Sequence, residues 1–139
     1  MRQFFAELEI ETSGSGLHDI TGDLARWVSD QQMSDGLLTA FIRHTSASLT
    51  VQENADPDVL RDLGDFLSRI VPRDTSLYRH TTEGPDDMPA HIRSALTLTQ
   101  LSIPVHGGRL LLGTWQAIYL FEHRDGDFSR SVALHLLGD

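Results

Sequence analysis

The sequence contains no cysteine. That excludes disulfides, thiolate nucleophiles and cysteine-ligated metal centres, and leaves imidazole and carboxylate as the natural ligands for any bound ion. No apolar run reaches the ~18 residues of a helical membrane span. Positive charge is scarce: 11 Lys and Arg stand against 20 Asp and Glu, a net charge of −9 with the histidines neutral. Such a balance argues against nonspecific nucleic-acid binding and against docking on an anionic membrane. A phosphorylated small molecule would need a local cation, arginine or metal. The first residues turn acidic at Glu7, too early for a signal peptide, and a cytoplasmic location is the expectation. Internal repeats and low-complexity tracts are also missing, and 139 residues make one domain spanning 1–139.

What is present is ordinary globular patterning. Residues 2–11 alternate apolar and polar from Phe5 onward, which predicts a half-buried strand ended by Ser13-Gly14-Ser15-Gly16. The spacing of Ile20, Leu24, Trp27, Val28 and Gln31 predicts a helix over 18–32, with Asp19 or Thr21 as cap. Leu37 to Ile42 reads as a buried strand and Ser48 to Val51 as another. Asp56-Pro57 opens the clearest helix, which buries Val59, Leu60, Leu63, Phe66, Leu67 and Ile70 and stops at Pro72. A helix is expected from about Met88 to Gln100, then an edge strand around Pro104, then strands over 110–112, 114–121 and 131–137. Asp125-Gly126 signals a hairpin joining the last two. Three helices among six or more strands, with a C-terminal antiparallel run, predict an α+β fold.

The chemistry concentrates between Tyr78 and Arg93, where His80, Glu83, Asp86, Asp87 and His91 fall in one loop and the start of a helix capped by Asp86 or Asp87. With His44, at the end of a buried strand, His80 and His91 make three imidazoles, a set that leaves an open coordination position for water or substrate. The spacing matches no compact zinc signature, and a capped helix with polar loop residues explains the same letters. Leu112-Gly113-Thr114-Trp115-Gln116 reads either as a ligand-binding segment or as a bulged strand with a core tryptophan. Arg109, Arg124 and Arg130 are the late-chain cations available to a phosphate.

Several segments together resemble the YjbQ family. They are His44-Thr45-Ser46-Ala47, Gln52-Glu53-Asn54-Ala55-Asp56-Pro57-Asp58-Val59, Tyr78-Arg79-His80, Asp86-Asp87-Met88-Pro89-Ala90-His91, and Gly108-Arg109-Leu110-x-Leu112-Gly113-Thr114-Trp115-Gln116. Their order and spacing cover nearly the whole chain, and the last is the most specific. The chain departs from the family pattern at Ala117, where glycine is common, and at His106-Gly107.

The resemblance implies an α+β fold with antiparallel, sandwich- or barrel-like sheet, a homotrimer, and a histidine-lined site for a divalent metal, zinc being favoured. It also implies a secondary thiamine-phosphate synthase activity, joining a hydroxymethylpyrimidine diphosphate to a thiazole phosphate with release of pyrophosphate. On this reading His44, His80 and His91 hold the metal, and Glu53 or Asp87 serves as base or orients an imidazole. Thr45, Asn54, Thr114, Trp115, Gln116, Arg109 and Arg130 contact the substrate. The alternatives are a metal-dependent hydrolase of a phosphorylated small molecule and a trimeric metal- or ligand-binding protein without turnover.

Overall fold

In the computed structural model, which describes all 139 residues, the chain runs β1 (Arg2–Ser13), β2 (Gly16–Asp19), α1 (Thr21–Asp30), β3 (Gly36–Ile42), β4 (Ala47–Glu53) and α2 (Pro57–Ile70). After a single 3₁₀ turn at Thr75–Leu77 come α3 (Asp87–Leu96), β5 (Gln100–His106), β6 (Arg109–Leu110), β7 (Gln116–Glu122) and β8 (Asp127–Gly138). The strands form a five-stranded sheet ordered β1-β8-β3-β5-β6 and a three-stranded sheet ordered β2-β7-β4. Every pairing is antiparallel. The expected α+β class is the one observed.

Period-two patterning explains the large sheet. In β1, Phe4, Ala6, Leu8 and Ile10 pack against the core while Phe5, Glu7 and Glu9 face outward. Strand β8 pairs with β1 along its whole length and with β3 on its other edge, from Gly36 opposite Gly138 to Ile42 opposite Val132. The Gly36–Gly138 pair is a steric requirement. A Cβ on Gly138 would overlap the Asp35 carbonyl oxygen, and one on Gly36 would lie 2.9 Å from the Met33 sulfur. Leu24 and Val28 of α1, Leu38 and Ile42 of β3, Ile118 and Leu120 of β7, and Leu134 and Leu136 of β8 fill the space between the sheets. Strand β7 reads as an unbroken apolar run because its other face, Ala117, Tyr119 and Phe121, is buried as well.

Four expectations differ from the structure. Residues 16–19 are strand, pairing with Glu122 to Tyr119 and completing the edge of β7, so His18 precedes α1. The helix begins after Asp19, whose carboxylate accepts the Thr21 N–H at 2.9 Å. Asp125-Gly126 is no hairpin, because β7 and β8 belong to different sheets; the Gly126 carbonyl instead accepts the Gly14 N–H at 3.0 Å and prolongs the β1–β8 ladder. Helix α3 stops at Leu96, where extended Thr97 turns its hydroxyl back to the Arg93 carbonyl at 2.8 Å. Helix α2 starts as expected, with the Asp56 carboxylate accepting the Asp58 N–H and Pro57 in the first turn. Its apolar face is poorly covered, however. Only Leu67 is buried and about half the surface of Phe66 and of Ile70 is exposed, and Leu60, Gly64 and Leu67 border a cavity of about 360 Å³.

Candidate functional site

Asp87, His91 and His80 converge. Helix α3 places Asp87 and His91 four residues apart on one face, and the loop before it folds His80 back onto them. His80 Nε2 lies 2.7 Å and His91 Nε2 3.2 Å from the same oxygen, Asp87 Oδ2. The two rings meet edge to face at 5.4 Å. One nitrogen from each imidazole and one carboxylate oxygen all lie within 4.8 Å of one another.

The hydrogen bonds around the cluster fix its chemistry. His91 Nδ1 is 2.9 Å from the Thr45 carbonyl, which can only accept, so Nδ1 carries a proton. His91 Nε2 then meets Asp87 Oδ2 as an N–H donor when the ring is charged and as a bare lone pair when it is neutral. Burial pushes the Asp87 carboxyl up, but the His80 hydrogen bond, His91 and the Arg124 guanidinium outweigh it and hold the group below its ordinary range. Two acceptors facing each other at 3.2 Å repel unless a proton or a metal cation lies between them. The donor set fits a metal: imidazole and carboxylate atoms sit ~3.3 Å apart around a tetrahedral zinc, and a ligand imidazole characteristically donates its other N–H to a carbonyl, as His91 does.

Arg124 is the strut. Its Nη1 binds Asp87 Oδ1 at 2.9 Å, its Nε binds Asp86 Oδ2 at 2.9 Å, and its Nη2 donates to the Glu83 carbonyl at 3.0 Å. Asp86 is thus committed to Arg124 and to the Asp125 amide at 3.0 Å, and its side chain caps nothing in α3. The expected Asp86 or Asp87 side-chain cap is replaced by an ion-pair lattice that orients Asp87.

His44 stays outside the cluster. Its Nε2 accepts the Ser131 N–H at 2.8 Å, standing in for a backbone acceptor where β3 leaves β8. Burial, then Arg130 with Nη1 3.5 Å from Nδ1, lowers its basicity. Asp87, expected as base or support, and not His44, is the third member of the group whose atoms could hold an ion. Arg130 is also reassigned. It is 4% exposed and its Nε donates to Glu122 Oε1 at 2.7 Å, with Nη2 on Oε2, so its fork is filled from within. Burial raises the Glu122 carboxyl, yet bonds from Arg130, Thr12 and the Arg124 amide prevail and hold it low. Sequence reasoning missed this pair, although a glutamate at the end of an apolar strand was a signal that a cation must meet it.

Glu53, Asn54, Thr114, Trp115 and Gln116 form a second group. Glu53 accepts the Asp56 N–H at 3.2 Å, the Asn54 side chain donates to the Thr114 carbonyl at 3.3 Å, and Gln116 accepts the Gly113 N–H at 2.8 Å. Trp115 is a surface residue, 65% exposed. Thr45 precedes β4 and Glu53 ends it, so the two groups stand ~20 Å apart along the strand within one chain. Arg109 is exposed on β6, in neither group. An open groove of about 550 Å³ adjoins His91 and Thr45; Arg43, which sequence reasoning passed over, lines it.

A family model described as "UPF0047 protein YjbQ-like" matches residues 6–139. The UPF0047 protein sll1880 of Synechocystis is 52% identical, over 99% of this chain and 94% of its own length. The UPF0047 protein YjbQ of Escherichia coli O157:H7 is 43% identical, over 95% of this chain and 96% of its own. Among solved structures, the conserved hypothetical protein TT1486 of Thermus thermophilus superposes with a TM-score of 0.85 at 38% identity, covering 95% of this chain and 99% of that one. Sequence and fold agree, and the chain belongs to the UPF0047 YjbQ-like family.

Proposed function

We propose that the protein is a metal-binding enzyme acting on a phosphorylated small molecule, with His80, Asp87 and His91 as ligands of a divalent ion, zinc by preference. The observation that carries this reading is the convergence of His80 Nε2 and His91 Nε2 on one oxygen of Asp87, at 2.7 and 3.2 Å, while His91 Nδ1 is spent on the Thr45 carbonyl. A bound ion would supply charge neutralisation to a phosphate that an acidic protein otherwise repels. The chain's own residues do the rest. Thr45 and Arg124 set the orientation of His91 and Asp87, and Arg43, paired with Glu7, lines the adjoining groove.

The reaction we favour is the secondary thiamine-phosphate synthase reaction, in which a thiazole phosphate displaces pyrophosphate from a hydroxymethylpyrimidine diphosphate. A homotrimer with the site near a subunit interface goes with it. Trp115, Leu111, Leu96 and Leu98 are more than half exposed, and a neighbouring copy would bring the Glu53–Gln116 group within reach of the histidines. A cytoplasmic setting is part of the same proposal, supported by the cysteine-free composition.

The test is product analysis of the metal-loaded and metal-stripped protein, with sedimentation at micromolar concentration. Thiamine phosphate and pyrophosphate forming only when both substrates and metal are present supports the synthase. Phosphate release without the acceptor makes the protein a hydrolase, no turnover with retained metal makes it a binding protein, and a monomer removes the interface.

A further inference from the structure

The cavity under α2 holds an unmatched cation. Arg93 follows His91 by two residues, so at 100° per residue the two side chains leave α3 on nearly opposite sides. His91 turns to Asp87, whereas Arg93 turns into the protein and lines the cavity between β2 and α2. It is 7% exposed. Its Nη2 makes one long bond to the Val71 carbonyl at 3.4 Å, and its Nε, fully buried, has no partner. No carboxylate pairs with it: nearby Asp125 is taken by Arg73 in a two-bond fork. A guanidinium has five donors, and burying one without a counter-charge is unfavourable. Burial accordingly lowers its basicity, and Arg73 adds to the effect.

The space beside this cation is suited to a ligand. The cavity holds about 360 Å³, and Ser15, Gly16 and Ser68 offer hydroxyls and backbone at its walls. Two carboxylates also line it. Glu122 is already neutralised by Arg130, Thr12 and two backbone amides. Asp65 lies on the exposed face of α2 and disfavours a second negative group at the mouth. We propose that this cleft binds a small molecule through one anionic group, phosphate or carboxylate, held by the Arg93 guanidinium with the neutral part of the molecule under α2. It is a site on the opposite side of α3 from the histidines and does not depend on the metal reading.

The experiment titrates the metal-stripped protein, in chelator, with inorganic phosphate and separately with acetate, following the ¹⁵N resonance of the Arg93 side chain. Saturable movement is expected with at least one of them, and the tighter anion identifies the phosphate or carboxylate class. Arg93→Gln should weaken binding at least about tenfold, and Arg93→Lys should recover only part of it, having lost the fork. Because a buried arginine can matter for folding, Gly64→Leu is the second variant. A Cβ there meets nothing within 4 Å, the residue lines the cavity, and leucine suits a helix better than glycine. It should keep the fold and weaken binding by at least the same factor. No saturable shift with either anion, or unchanged affinity in Gly64→Leu, would overturn the proposal.

Discussion

Replacing Glu122 by glutamine should destabilise the protein far more than its single lost charge suggests. Glu122 is fully buried and Arg130 is 4% exposed; the carboxylate accepts from Nε and Nη2 of Arg130, from the Thr12 hydroxyl, and from the amides of His123 and Arg124. Glutamine keeps the size and one acceptor oxygen, but its NH2 replaces the other, and the guanidinium stays buried without a counter-charge, with the Ser46 carbonyl 3.4 Å away as its remaining acceptor. Breaking one side of a buried pair costs about 3–5 kcal/mol. For a chain of this length that is a fall of roughly 10–20 °C in melting temperature, measured at fixed protomer concentration. The double variant Glu122→Leu/Arg130→Met should recover most of the loss, since apolar replacement of a whole pair is often neutral. Glu122 is held below its ordinary value of 4.5, so its stabilisation is full above that pH and lost as pH falls through the folded value. Glu122→Gln should lack that part of the acid transition. A loss under about 1 kcal/mol, well below the cost of breaking a buried pair, would refute the reasoning.

His123 is 1% exposed, its Nε2 lies 2.9 Å from the Ser48 hydroxyl, and burial, with Arg93 adding to it, lowers its pKa from 6.5 to about 4. The unfolded chain therefore takes up this proton first. Stability is full above pH 6.5 and falls between 6.5 and about 4, by an amount on the order of 3 kcal/mol, and urea melts of His123→Gln should show a flatter slope there. Gly138→Ala should cost about 1–3 kcal/mol or more by forcing β8 off the Asp35–Gly36 backbone, whereas Gly22→Ala, with open space around its Cβ, should be neutral or stabilising. Thermal melts of the two variants should shift in opposite directions or differ by several degrees.

Local rules made much of this fold legible. Asp56-Pro57 marks the start of α2 to the residue, and alternation places the inward side chains of β1. Pairing partners were harder. Asp125-Gly126 has the letters of a hairpin, but which sheet β8 joins depends on its contacts with β1, more than a hundred residues earlier in the chain. The period set by Ile20, Leu24 and Val28 carries no mark of where the helix starts, and the edge of β7 recruits residues 16–19 as strand. At the site, His80 and His91 were visible as imidazoles clustered in sequence. The roles of His44 and Arg130 were not, since the Ser131 amide and the Glu122 carboxylate that occupy them come from other strands.

Metal uptake tests the central claim most directly. The stripped protein should bind one zinc per chain in a competition titration against a chromogenic chelator. Asp87→Asn and His91→Ala should each weaken the ion at least about tenfold to a hundredfold, while His44→Ala, whose Nε2 belongs to the Ser131 amide, should leave affinity nearly unchanged. No uptake by the wild-type chain, or loss of the ion in His44→Ala with full retention in Asp87→Asn, would contradict the account.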